Sequence, residues 1–234
     1  MNFEFSEEQQ MLRDQARSYL TQHCPTTLVR RVLNNRETHD ADLYKGIAEM
    51  GWTATTIPEE YGGLGMSYLE LVVIAEELGR ACAPVPFSST VYLAAEAIMA
   101  LGTEAQKQAW LPKFADGTAI GCFAMGEAGG RVTPDQMSTR MQDGVLNGTK
   151  VPVADGGIAS VAIVVCASDK GDGASLALVD LSQDAVSKDN VQMIDFSRGH
   201  SELVFNGACA EMLGEEGAGW TAVESLMNTA AVLF

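Results

Sequence analysis

Few side chains in this 234-residue chain are spaced to do chemistry by themselves. His23, His39 and His200 are isolated from one another. The five cysteines, Cys24, Cys82, Cys122, Cys166 and Cys209, form no Cys-x-x-Cys pair and have no histidine at metal-ligand spacing. No metal site is expected, and the thiols read as buried free cysteines of a reducing compartment. Gly-x-Ser-x-Gly, His-Glu-x-x-His and phosphate-loop patterns do not occur. Glu76 and Glu77 would point about 100° apart on a helix, so they read as a solvated face and not as an acid–base pair. The run Gly126-Glu127-Ala128-Gly129-Gly130 has the flexibility to bring backbone N–H groups to a phosphate, yet so short a glycine run is first of all a turn. Trp52, Trp110 and Trp220 offer rings to a planar ligand, but their bulk suits a core or an interface better. Residue types alone name no reaction.

The elements that must hold these groups are of two kinds. Only six of the 23 glycines precede residue 100, and the hydrophobic period changes where they become frequent. Ser6 with Gln9, Ser67 with Glu70 and Thr103 with Gln106 have capping-box spacing, each opening a helix. Leu12, Ala16, Tyr19 and Leu20 share one face of the first of these. Leu43, Ile47 and Met50 predict a short amphipathic helix that Gly51 can stop, and residues 88–101 an apolar one stopped by Gly102. Residues 1–117 therefore read as an all-α bundle of about five helices. From Ala119 the pattern turns β, with strands expected over 120–124, 161–165, 176–179 and 203–205 and turns at Asp143-Gly144 and Asn147-Gly148. Short strands with tight turns imply a small antiparallel β-barrel or sandwich over 118–218. Helical periodicity returns at Trp220, so residues 219–234 read as the first helix of a truncated helical domain. The expected fold class is α+β.

Composition narrows the function. An apolar fraction of 47% with 20% charged residues is that of an ordinary globular chain, which needs no disulfide staples. The net charge of −16, shared by both halves, repels phosphate backbones and anionic lipid, so neither a nucleic acid nor a membrane surface is an expected partner. The N-terminus lacks the basic start and apolar run of a signal peptide, and a cytoplasmic location is expected.

Across the whole chain the order of short motifs resembles the acyl-CoA dehydrogenase family. The residues that carry this are Phe5-Ser6-Glu7-Glu8-Gln9, Met50-Gly51-Trp52, Pro58-Glu59-Glu60-Tyr61-Gly62-Gly63-Leu64-Gly65 and Glu76-Glu77-Leu78-Gly79-Arg80. They continue with Gly102-Thr103-Glu104-Ala105-Gln106-Lys107, Trp110-Leu111-Pro112, Leu146-Asn147-Gly148-Thr149-Lys150 and Gly217-Ala218-Gly219-Trp220. The resemblance implies an N-terminal helical domain, a middle β domain and a C-terminal helical domain that is largely absent here. It implies oxidation of an acyl-CoA thioester to the 2-enoyl thioester, with FAD as hydride acceptor and a glutamate of the C-terminal domain as base. No residue of this chain is then assigned as catalytic, and the chain alone is expected to be inactive. Implied partners are acyl-CoA, further copies or a sister acyl-CoA dehydrogenase subunit, and an electron-transfer flavoprotein as electron acceptor.

The resemblance carries the flavin-binding positions onto Phe123, Met125 and Gly126 of one segment and Val153 and Ala154 of another. Both segments depart from the family pattern. The aromatic-Ala-Met/Leu-Thr-Glu-Pro run has Gly126 for its threonine and Ala128 for its proline, and no Gly-Ser-Asp follows. Lys-x-Trp-Ile-Thr becomes Lys150-Val151-Pro152-Val153-Ala154, so a ring and a hydroxyl are lost. FAD binding is expected to be weakened, as in a flavin-poor subunit of a heteromeric enzyme. A non-catalytic scaffold or acyl-CoA-binding module of the same fold is the alternative. Arg131, Arg140, Lys150 and Arg198 are cations of the β half available to CoA phosphates, with ordinary surface charges as the equal alternative.

Overall fold

Local signals set the helical half. In the computed structural model, which describes residues 5–130 and 132–234, α1 (Glu7–His23) opens with the Ser6/Gln9 capping box. Pro25 precedes α2 (Thr26–Asn35), which ends at a left-handed Arg36, and Asp40 caps α3 (Ala41–Glu49). The Ser67/Glu70 box opens α4 (Tyr68–Arg80). Ser88–Ala95 is a π-helical stretch that runs straight into α5 (Glu96–Leu101), and the Thr103/Gln106 box opens α6 (Glu104–Ala115). All three expected capping boxes form. The sequence reading missed α2, which has no side-chain cap; the spacing of Leu28, Val29, Val32 and Leu33 was its available signal.

Helices α1 and α4 lie side by side and run the same way. Gln9 Nε2 donates to Glu70 at 2.8 Å, Arg13 pairs with Glu76 at 2.6 Å, and Arg17 reaches Glu77 at 2.6 and 3.1 Å. Glu77 corrects the expectation of a solvated face. Its side chain is fully buried, and Arg80 Nε also donates to it at 2.7 Å. These ion pairs line the seam over an apolar core that includes Ala16, Leu20, Ile47, Leu71, Ile74 and Trp52.

The β half begins at β1 (Gly121–Ala124) and continues through β2 (Arg140–Gln142), β3 (Val145–Ala154), β4 (Val161–Ala167), β5 (Ala174–Asp180), β6 (Val186–Val191), β7 (His200–Cys209) and β8 (Glu211–Leu213). The sheet order is β6-β7-β3-β2-β4-β5-β8, with β1 beside β4. The sheet is open, not a closed barrel, and β6 and β8 end its strand order. Most pairs are antiparallel as expected, but β1 runs parallel to β4. Asp143 and Gly144 both have positive φ and make the β2–β3 hairpin turn. Asn147-Gly148 is no turn: it lies inside β3, where the pairing with β7 shifts register. Gly148 passes so close to Thr139 that an added Cβ would stand 2.6 Å from its Cα.

Strand β4 is apolar and buried throughout because it is covered on both faces. Val161, Ile163 and Val165 face the core shared with α5, α6 and α7 (Gly219–Ala230), whereas Ala162, Val164 and Cys166 face Leu146, Leu203 and Phe205 inside the curled sheet. Trp52 is buried, and Trp110 and Trp220 pack partly buried against the core, so the rings serve packing. Of the cysteines, Cys24, Cys122 and Cys166 are buried as expected, but Cys82 and Cys209 are exposed. No helix of the described residues is long and apolar enough to cross a membrane.

Candidate functional site

The two segments singled out in the sequence meet. Val151 N donates to Gly126 O at 2.9 Å, joining the end of β1 to the middle of β3. Lys150 reinforces this join from beneath: its fully buried Nζ donates to Met125 O at 3.1 Å and to Glu127 Oε1 at 2.8 Å. The Glu127 carboxylate also accepts from Ser138 N at 2.8 Å, Ser138 Oγ at 2.7 Å and Thr139 N at 3.0 Å. A largely buried ion pair tolerates desolvation only when further hydrogen bonds support it, and here Met125 O, Ser138 and Thr139 provide them. Burial by itself would raise the Glu127 pKa, but the hydrogen bonds from Lys150, Ser138 and Thr139 outweigh it and hold the group at about 2. Burial pushes the Lys150 ammonium below its ordinary value against the pull of Glu127.

This clasp corrects the reading of Lys150 as a cation for CoA phosphate, because its charge is enclosed and already paired. Arg198 is committed too. It meets the buried Asp155 at 2.5 Å, and Ser89 of the π-helical stretch donates to the same oxygen at 2.5 Å, so the three residues tie the β half to the helices. Arg140 is exposed and pairs with an exposed Asp169 at 3.1 Å, an arrangement that holds its charge only weakly. It therefore stays accessible, in a groove that also takes in Ser168 and Lys170. Arg131 lies outside the described residues.

The edge that would face a ligand is bare by comparison. Phe123 and Met125 are half-buried and pack toward the helical core, and β1 is fixed there by Thr90, whose hydroxyl accepts from Gly121 N at 3.2 Å. Val153 is fully buried inside the curled sheet with Leu203 and Phe205, so its side chain is not available to a ligand. Pro152 is exposed, and Ala154 is half-buried opposite His200 on β7. Gly126 is closed in: a Cβ there would stand 2.9 Å from Val151 O and 3.7 Å from Pro152 Cδ. The threonine of the family pattern does not fit this backbone without a shift. Two hydroxyls of the described residues, Tyr44 OH and Thr133 Oγ1, are buried without a partner, and neither belongs to either strand; Thr133 lies in the loop that follows β1. The residues present therefore do not supply the ring contacts that the resemblance implies for FAD. Among the described residues no group of three or more metal-type side chains is gathered.

Sequence reading missed Ser138, Thr139, Ser89 and Asp155, the partners that fix the clasp and the tie between the β half and the π-helical stretch. Asp155 had a faint signal, since it precedes Gly156-Gly157 and holds a left-handed backbone that aspartate tolerates.

A family model for the N-terminal domain of acyl-CoA dehydrogenases matches residues 6–118. An acryloyl-CoA reductase (NADH) from Anaerotignum propionicum is 31% identical over 242 residues, which cover 97% of this chain and 61% of that protein. The solved butyryl-CoA dehydrogenase from Megasphaera elsdenii superposes with a TM-score of 0.86 at 26% identity, covering all of this chain and 66% of that one. A chain in a structure of the electron transferring flavoprotein of Acidaminococcus fermentans gives a TM-score of 0.88 at 25% identity, covering 100% of this chain and 66% of that one. This chain thus spans about three-fifths of the length of the first of these relatives.

Proposed function

This chain belongs to the acyl-CoA dehydrogenase family, and from that premise we propose that it is the flavin-poor subunit of a heteromeric acyl-CoA dehydrogenase. The assembly would take an acyl-CoA thioester to its α,β-unsaturated form. The observation that carries the reading is the closure at Gly126: the backbone of Val151 occupies the space a threonine would need, while Pro152 and Ala154 remove the ring and hydroxyl on the neighbouring strand. A sister chain would then hold the FAD and pass its electrons to an electron-transfer flavoprotein.

The chemistry sets what the assembly must supply. A thioester α-proton is too weakly acidic for a carboxylate unless hydrogen bonds stabilise the enolate-like charge as it forms. No side chain of residues 5–130 and 132–234 is assigned to remove that proton. The contribution of this chain is a rigid wall, in which β1 is held between the π-helical stretch and β3 by Thr90, Lys150 and Glu127. The runner-up reading, a non-catalytic scaffold or acyl-CoA-binding module that keeps the fold without redox chemistry, rests on the same missing ring and hydroxyl.

Acyl-CoA titration of the intact protein, co-expressed with a neighbouring homologue, separates the two. Bleaching of the flavin absorbance on adding thioester is the outcome expected of the heteromeric enzyme. Saturable binding with no bleaching would replace it with the binding module.

A further inference from the structure

The ladder between α1 and α4 does not stop at its charged rungs. Residue pairs 9–70, 13–76 and 17–77 set a parallel register, and carrying it to the C-terminal ends brings Cys24 against the end of α4. There the Cys24 thiol lies 3.8 Å from Ala81 O. The next residue is Cys82, and the planar peptide puts its Cα on the same side as that oxygen. Helix α4 ends in a Schellman turn, with Ala83 N donating to Leu78 O at 3.0 Å and Cys82 N to Gly79 O at 2.9 Å. Cys82 occupies the left-handed position of that turn, φ 48°, where glycine is the usual residue. A thiol thus stands where the backbone alone would favour no side chain.

We propose that Cys24 and Cys82 are a disulfide-forming pair, a modification site that closes when a hydroperoxide oxidises Cys82. The two thiols are unequal in the way such a sequence requires: Cys82 is exposed and Cys24 is 5% exposed. The Cys82 thiolate attacks a peroxide oxygen, the O–O bond breaks, and Cys82 becomes a sulfenic acid as the alcohol or water departs. Cys24 loses its proton and attacks the Cys82 sulfur. The S–O bond breaks, and the hydroxide takes up that proton as water. In sum two thiols are oxidised and one peroxide is reduced. Burial, aided by the nearby Asp40 carboxylate, pushes the Cys24 thiol up to about 11, so it is not the first to react.

The test uses the intact protein, freed of reductant, treated with hydrogen peroxide and digested with trypsin without reduction. The expected product joins residues 18–30 to residues 81–107, weighs two hydrogens less than the separate peptides, and reverts with dithiothreitol. Thiol titration in denaturant then falls from five groups to three. Cys24→Ser is expected to abolish the cross-link and leave a dimedone-trappable sulfenic acid on Cys82, and Cys82→Ser to leave Cys24 unoxidised. Accumulation of that sulfenic acid in the unsubstituted protein, a bridge from Cys82 to Cys209 or to a second copy, or no oxidation of Cys82 at all would each overturn the proposal.

Discussion

The clasp beneath the β1–β3 join and the edge directly above it are one residue apart in sequence and opposite in character. Below, the buried Lys150 and Thr139 and the half-buried Glu127 form a hydrogen-bonded polar group that the exposed Ser138 closes toward solvent. Above, positions 126, 152 and 154 carry a glycine, a proline and an alanine. Fold maintenance and side-chain chemistry are therefore separable here: the join is held by Lys150 and Glu127, while positions 126, 152 and 154 add no ring or hydroxyl to it.

Removing one member of the clasp gives the largest effect. Lys150→Met takes the ion-pair partner from the half-buried Glu127 carboxylate and the donor from Met125 O, and is expected to cost about 3 kcal/mol, read as a lowered urea midpoint at unchanged slope. A loss below about 1 kcal/mol would show that the clasp is not what holds the join. The opposite experiment is at the edge. Pro152→Trp with Ala154→Thr restores a ring and a hydroxyl, worth about 1 kcal/mol or more each, and is expected to tighten flavin binding by some tens of fold. Fluorescence titration with FAD measures it, and no gain would mean that these positions do not face the ring.

Gly126→Thr should behave differently from that pair, although the family pattern asks for it equally. Its Cβ meets the Val151 carbonyl, so a loss of about 1–3 kcal/mol in thermal or chemical stability is expected, with no flavin gained. A stable variant that gains flavin would show the backbone to be freely adaptable there.

The smallest effect is the acid limb. The folded pKa of Glu127, about 2, lies below its ordinary value of 4.5, so its contribution to stability is complete above pH 4.5 and is lost as pH falls toward 2. Glu127→Gln is expected to flatten that part of the stability profile. An unchanged acid limb would mean that the carboxylate is not specially stabilised in the fold.

The same contrast explains what the sequence disclosed. Capping boxes at Ser6, Ser67 and Thr103 were legible because donor and acceptor lie three residues apart and the helix is decided locally. Asn147-Gly148 misled because an isolated pair favours a turn, whereas pairing along β7 holds it in a strand. The π-helical stretch was invisible as such, since Ser88–Ala95 is buried almost all round and its pattern fits any apolar helix. At the site, resemblance located both segments, but the Lys150–Glu127 pair spans 23 positions and follows only once β1 and β3 are in register. The burial of Glu77 was hidden likewise, because its partner Arg17 comes from a helix 60 positions away.

Flavin stoichiometry on the intact protein purified by itself, set against the same protein co-purified with a sister subunit, decides whether this chain is the flavin-poor partner. Little or no FAD is expected on the lone protein, with flavin in the mixed assembly held by the sister chain. One FAD per copy on the lone homo-oligomer would contradict it.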